Sequence, residues 1–281
     1  MTKQFIYLLI ASILPLITFS QSTPYTSISS SELVLTVDSE FPLIKQYKLL
    51  KNNAILNGNI SNNKIVLING MEFSPEVTSS VTENTITYVM SLEDIKVLLR
   101  VKIEVLDDIV DLKFIEIKEA GDFKIHTIAF PEQELLTISS NEKNANFSGA
   151  KMYTAIGDNE GDVFQKLNKK TVLDSLAQGF LYGILSKQDL SASIWTNAVE
   201  EKTDNNRILK KTYKKNKVIY TSLWSGSWVY RADKMSLASQ LPQLKIILTD
   251  DANDDRKVDW QDGAIVFRNI MNNPFGAERV K

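Results

Sequence analysis

Between Lys96 and Val105 the chain alternates regularly enough to fix its own conformation. Val97, Leu99, Val101, Ile103 and Val105 fall on one side of a period-two pattern, Lys96, Arg100, Lys102 and Glu104 fall on the other, and only Leu98 breaks it. Successive side chains of an extended strand point to opposite faces, so this stretch lays one face on a core and leaves the other in water. Wound as a helix, the same apolar residues would be spread around the circumference and no face could be buried cleanly. The segment therefore requires a sheet, and a sheet requires partner strands.

Those partners are legible along most of the chain. Leu33, Leu35 and Val37 alternate with Val34 and Thr36, and Leu43 to Leu49 and Lys64 to Ile68 read as further strands, separated by turns such as Asn57-Gly58-Asn59. Ile109 to Ile117 follows a short Asp107-Asp108 turn, which predicts a hairpin with the Lys96–Val105 strand. Phe123 to Phe130 is expected as a strand ended by Pro131, followed by Phe180 to Leu185, Leu190 to Thr196, Val218 to Trp224, Trp228 to Tyr230 and Leu244 to Leu248. Many short strands with little helix between them predict an all-β fold, a large antiparallel β sandwich over residues 32–248. Val163 to Leu176 is its main helical or loop candidate, and Gln21 to Ser31, rich in Ser and Thr, is expected as a leader before the first ordered element.

The N-terminus reads as an export address. Lys3 precedes an apolar run from Phe5 to Phe19, interrupted by Ser12, Pro15 and Thr18 and followed by Ser20, Gln21 and Ser22. The run is shorter than the roughly 20 residues a bilayer span takes, and its charged start and small-residue end fit a secretory signal over residues 1–20. The mature chain is expected to be secreted, periplasmic or on the cell surface, with no membrane contact after cleavage. The absence of cysteine excludes disulfides, thiolate nucleophiles and Cys-based zinc sites, and in an exported chain it points to a bacterial source. With His126 as the only histidine, multi-His metal sites are excluded as well. A net charge of −2 offers no sustained positive field for nucleic acid.

After Leu248 the character changes. Thr249-Asp-Asp-Ala-Asn-Asp-Asp255 is acidic, and Asp262-Gly263 opens an amphipathic segment that Asn272-Asn273-Pro274 stops. Read as a calcium loop, Asp251 takes position 1, Asn253 position 3, Asp255 position 5, the Lys257 carbonyl position 7, Asp259 position 9 and Asp262 position 12. Ca²⁺ takes several oxygens at about 2.3–2.6 Å, and alternating acidic positions converge when a loop winds round the ion. Arg256 stands at position 6, where a glycine ordinarily permits the sharp turn. The other reading of the same residues is an acidic loop that caps the following helix through Asp262.

The stretch from Asp251 to Gly276 also carries a resemblance. Val258-Asp-Trp-Gln-Asp-Gly-Ala-Ile265 followed by Ile270-Met-Asn-Asn-Pro274 resembles the entry segment of the endo-α-N-acetylgalactosaminidases of glycoside hydrolase family 101. In that family the segment lies between a galactose-mutarotase-like β sandwich and a catalytic (β/α)₈ barrel. Leu190-Ser-Ala-Ser-Ile-Trp-Thr-Asn197 and Ser227-Trp-Val-Tyr-Arg231 are weaker signals of the same sandwich. The resemblance implies retaining hydrolysis of the bond between α-linked N-acetylgalactosamine and Ser or Thr in mucin-type O-glycans. Such a barrel takes about 250 residues, so the residues after Gly263 are expected to be its first segment alone, with the rest of the barrel as an intramolecular partner. The family's two carboxylates belong to the barrel, so no residue here is matched to either.

Other features bear on function without that resemblance. Trp195, Trp224, Trp228 and Tyr230 are candidates for a platform against galactose-containing carbohydrate, since sugar C–H faces rest on aromatic rings, although large aromatics by default fill the core or a domain interface. A free-standing carbohydrate-binding sandwich is the alternative function. His126, in Lys-Ile-His-Thr-Ile128, does not match an epimerase motif and lacks a marked partner. Lys210, Lys211, Lys214, Lys215 and Lys217 are expected on a solvated hairpin or edge strand guarded by its lysines, or else against anionic glycans. The address itself gives a first prediction: intact-mass analysis of the exported protein is expected to place its N-terminus close to Gln21, and retention of Met1 in an exported form would contradict it.

Overall fold

The computed structural model describes residues 24–139, 141–151, 161–167, 182–197, 209–213, 219–223, 227–231 and 239–270. In chain order the first strands are β1 (Tyr25–Ser29), β2 (Leu33–Asp38), β3 (Ile44–Leu49), β4 (Ile55–Asn57), β5 (Val66–Ile68), β6 (Met71–Phe73) and β7 (Glu76–Val81). They are followed by β8 (Thr85–Leu92), β9 (Val97–Leu106), β10 (Ile109–Glu119), β11 (Thr127–Ala129), β12 (Leu136–Ser139), β13 (Asn146–Lys151) and β14 (Gly161–Lys166). The last are β15 (Tyr182–Lys187), β16 (Leu190–Thr196), β17 (Leu209–Tyr213), β18 (Ile219–Leu223), β19 (Ser227–Val229) and β20 (Gln243–Thr249), before the helix α1 (Trp260–Ile270).

Three antiparallel sheets result. A seven-stranded sheet runs β1-β2-β3-β4-β12-β18-β17, a nine-stranded sheet runs β14-β13-β15-β16-β20-β10-β9-β8-β7, and a small sheet runs β19-β11-β5-β6. The alternating residues of β9 behave as their pattern demands, with Val97, Leu99, Val101, Ile103 and Val105 buried and the residues between them only partly so. β9 turns back into β10 through Asp107 and Asp108, pairing Leu106 with Ile109, and Asp107 takes the left-handed conformation such a tight turn requires. At Ile115 β10 carries a bulge, which leaves that side chain exposed and sets Ile117 opposite Leu99.

Inward-facing residues of both large sheets and the small one form one continuous core. Leu33, Leu35 and Val37 of β2, Tyr47 of β3, Tyr88 and Met90 of β8, and Leu112 and Phe114 of β10 all belong to it. Its polar atoms are answered across the sheets: the Tyr47 hydroxyl donates to the Leu135 carbonyl at 2.9 Å and the Tyr88 hydroxyl to the Asp38 carbonyl at 2.6 Å. Burial raises both phenols above their ordinary range. Phe114, Phe130 and Trp228 stack and meet edge to face with centroids 5.6 to 6.0 Å apart.

Several boundaries differ from the sequence reading. The expected leader contains β1, which pairs along its whole length with β2 and buries Ile28, so order begins before residue 32. The expected strand from Phe123 is confined to Thr127–Ala129. The Ile125 N–H donates to the Glu119 carboxylate, and those of His126 and Thr127 donate to the Asn69 side chain, so side chains take donors a ladder would have used. In the stretch from Val163, Gly161–Lys166 is a strand on the sheet edge, and 168–176 lies outside the described residues. The predicted C-terminal amphipathic segment is α1, and no helix among the described residues is long and apolar enough to cross a membrane.

Gly58 marks the tightest inter-strand approach. A Cβ there would lie 2.3 Å from the Ile44 carbonyl oxygen and 3.3 Å from that of Leu135, both backbone atoms that cannot swing aside. Gly58→Ala is therefore expected to destabilise by about 2–3 kcal/mol in denaturant titration, the upper end of what overpacking costs. At Gly70 a Cβ would meet nothing, and its φ of 79° is the only strain, so Gly70→Ala is expected to cost about 1 kcal/mol. Equal losses would contradict the packing.

Candidate functional site

The four aromatic candidates have different fates. Trp228 on β19 is 1% exposed, edge-on to Phe114 and Phe130, and its indole N–H donates to the Thr196 hydroxyl at 3.0 Å. Its ring is a core element with no face to offer a sugar. Trp195 on β16 points away from the core, on the face shared with Ser191 and Ser193, and is half-buried opposite Lys245. Tyr230 is half-buried against the core, with the Arg231 guanidinium 5.3 Å from its ring centre. Trp224 lies outside the described residues.

Beside Tyr230 the structure assembles a polar cluster that sequence reasoning missed. Glu119, at the end of β10, accepts two hydrogen bonds from the Arg231 guanidinium, at 2.9 and 3.0 Å, and a third from the Ile125 N–H at 2.7 Å. Hydrogen bonding from Arg231 holds the Glu119 carboxyl below the usual glutamate range. The Tyr230 and Arg231 N–H groups both donate to the His126 carbonyl, so the lone histidine contributes its backbone to this junction. Only the Arg in Ser-Trp-Val-Tyr-Arg231 hinted at it, because a glutamate more than a hundred residues away carries no local signal.

A second unforeseen feature is an open cleft of about 390 Å³ between β6, β7 and the end of β8, lined by Glu72, Phe73, Glu76, Ser91, Glu93 and Asp94. Its carboxylates are acceptors only, so it favours donors.

The acidic loop leads from β20 into α1, and it is α1 that packs on the nine-stranded sheet. Asp259 is the cap of α1, accepting from the Gln261 N–H at 2.7 Å, while Asp262 reaches back to accept from the Asp259 N–H at 2.9 Å. Together the two side chains cap the first turn of α1. The other Asp262 oxygen accepts from the Ala252 and Asn253 N–H groups, and the residue is 1% exposed. Asp251 accepts from Asp255 and Arg256, Asn253 from Asp255, and Asp255 from Lys257. Arg256 does make the sharp turn expected of position 6, with φ of 67°. The donor set is all oxygen, as Ca²⁺ requires, and its side-chain oxygens also accept from the loop's own N–H groups; among the described residues no group of three His, Asp or Glu side chains gathers at one point.

α1 is seated by small residues. A Cβ on Gly263 would lie 2.6 Å from both Ile184 Cγ2 and Ser191 Oγ, and the Ser193 hydroxyl donates to the Gly263 carbonyl at 2.8 Å. Strands β15 and β16 are thus buried on both faces, by the core and by the helix.

An antiparallel sandwich of two large sheets and one small one, with a helix on its outer face, defines the class of domain. The chain belongs to the galactose mutarotase-like fold domain family, whose model matches residues 28–260. It is similar, at 26% identity over 269 residues, to a protein of Renibacterium salmoninarum named "Putative endo-alpha-N-acetylgalactosaminidase". That alignment covers 91% of this chain and 18% of the relative, so the chain spans less than a fifth of the relative's length. Among solved structures, a galactose mutarotase-like protein from Lactobacillus casei matches with a TM-score of 0.45 and 10% identity, covering 80% of this chain and 99% of that one. A GH36 α-galactosidase from Geobacillus stearothermophilus matches with a TM-score of 0.44 and 7% identity, covering 83% of this chain and 41% of that one.

The Glu119 junction has a defined pH dependence. A carboxylate held below its unfolded value stabilises fully at neutral pH and loses that contribution as pH falls from about 4.3 through the folded value. Glu119→Gln is expected to cost about 1.5–3 kcal/mol near pH 7, the scale of hydrogen bonds to a charged group. Its deficit relative to the unmodified chain is expected to shrink below pH about 4. A deficit independent of pH, measured by urea titration, would contradict the assignment.

Proposed function

We propose that the chain is the non-catalytic, carbohydrate-associated sandwich of a secreted endo-α-N-acetylgalactosaminidase-like glycoside hydrolase acting on mucin-type O-glycans. The observation that carries this reading is the alignment with the Renibacterium protein, which takes in nearly all of this chain and leaves most of the relative outside it. A catalytic domain is then the intramolecular partner of the sandwich. The residues support a silent role. Retaining glycosidases need two carboxyl groups about 5–5.5 Å apart with one kept protonated. Here Glu119 is held by Arg231 and by backbone, and its carboxyl lies below the usual glutamate range, the opposite of what the protonated member of such a pair requires.

The alternative, a free-standing sugar binder, is favoured by one observation, the half-exposed Trp195 on the outer sheet face beside Lys245. Two measurements separate these. The purified chain is expected to release no aryl group from an aryl α-glycoside of galactosyl-N-acetylgalactosamine above a buffer blank, and steady release would overturn the silent role. Calorimetric titration with the free disaccharide is expected to show no saturable heat, whereas saturable binding lost in Trp195→Ala would support the binder.

A further inference from the structure

Sheets that do not close into a barrel leave edges, whose outward N–H and C=O groups are templates for another strand. The edges here are guarded unevenly. β17, at one edge of the seven-stranded sheet, carries Lys210 and Lys211, and the end of β1, at the other, is tied to the turn after β7, where the Ser29 N–H donates to the Glu83 carbonyl. β7 ends the nine-stranded sheet with no such device. Its six residues pair with β8 without a bulge, its only charge is Glu76 at the first position, and Thr78, Ser79, Ser80 and Val81 are exposed. Among the described residues no backbone group other than those of β8 bonds to the backbone of β7. We propose that β7 is a self-association edge, pairing antiparallel with β7 of a second copy of this chain about a two-fold axis through Ser79.

The residues of the strand select both the partner and the register. Two identical strands related by a two-fold axis normal to the sheet run antiparallel, and side chains of one face oppose each other only if the axis passes through a residue and its own copy. With the axis at Ser79, Val77 meets the second copy's Val81, Thr78 meets its Ser80, and Glu76 meets its Thr82, so no like charges oppose. Val77, Ser79 and Val81 stand opposite the buried Met90, Tyr88 and Ile86 of β8, on the core side of the sheet, and Val81 is 48% exposed. Pairing about Ser79 covers that valine on each copy with Val77 of the other. An axis at Thr78 would oppose Val77 to Ser79 and Val81 to Pro75, and an axis at Ser80 would oppose Val81 to Ser79 and Val77 to Glu83. Neither matches valine with valine. Six residues a side bury less than a standard protein interface, so the expected dimer is a weak one, at about the micromolar level.

A chain without cysteine allows the axis to be located by cross-linking. Residues directly opposed across an antiparallel pair have Cα atoms about 4.5–5.5 Å apart, inside the range a disulfide spans, whereas the two copies of Thr78 would lie roughly 8 Å apart, beyond it. With oxidised glutathione, Ser79→Cys is expected to form a disulfide-linked dimer at least about tenfold faster than Thr78→Cys. In sedimentation velocity the unmodified chain is expected to move from monomer towards dimer mass between about 1 and 200 μM. Ser79→Lys, which sets two ammonium groups face to face on the axis, is expected to stay a monomer with a melting temperature within a few degrees of the unmodified chain. Equal cross-linking of the two cysteine variants, or a dimer that survives Ser79→Lys, would overturn the proposal. So would an unmodified chain that remains monomeric over the whole range, which would leave this edge to a different polypeptide. The unmodified chain and the cysteine pair decide the outcome even if the lysine variant fails to fold, and no readout depends on the function proposed above.

Discussion

The structure depends on a constraint of extended chains, that adjacent side chains cannot share a face. In β9 this puts five aliphatic residues on the core and their charged neighbours outside, and the same rule in β2, β8 and β10 gives the large sheets complementary inner faces. β16 obeys it differently. Leu190, Ala192 and Ile194 enter the core, and Ser191 and Ser193 between them are buried as well, because α1 covers the outer face. Seating a helix there needs small residues on the strand and a glycine on the helix, and the hydroxyls buried by that contact find partners, Ser193 in the Gly263 carbonyl and Ser191 in the Ser186 hydroxyl of β15.

Much of this was legible in the residues alone. β16 was readable to its ends, and the β9–β10 hairpin was marked by Asp107-Asp108. The reading fell short where tertiary contacts replace local signals. Tyr25 to Ser29 looked like a polar leader because Ser and Thr are common in both leaders and strands, and only Ile28 and the pairing with β2 settle it. The segment from Phe123 to His126 has a strand's composition, but Glu119 and Asn69 take its backbone donors.

The candidate site was less legible than the fold, for the same reason. Trp228 and Trp195 are the same residue type in similar strands, yet one fills the core and the other is half-buried outside it, a difference set by register. The acidic loop was read with both of its alternatives in view. In the structure Asp262 serves backbone donors on two sides of the loop, among them that of the helix cap Asp259. The Glu119–Arg231 pair joins residues more than a hundred positions apart, and no spacing rule finds that.

These contacts make the sandwich, the acidic loop and α1 a single mechanical unit, which is the central claim. It is tested most directly by differential scanning calorimetry of the unmodified chain. One cooperative transition is expected, with calorimetric and van't Hoff enthalpies that agree. Two resolved transitions, with a low-temperature step that disappears when the chain is truncated after Thr249, would contradict it.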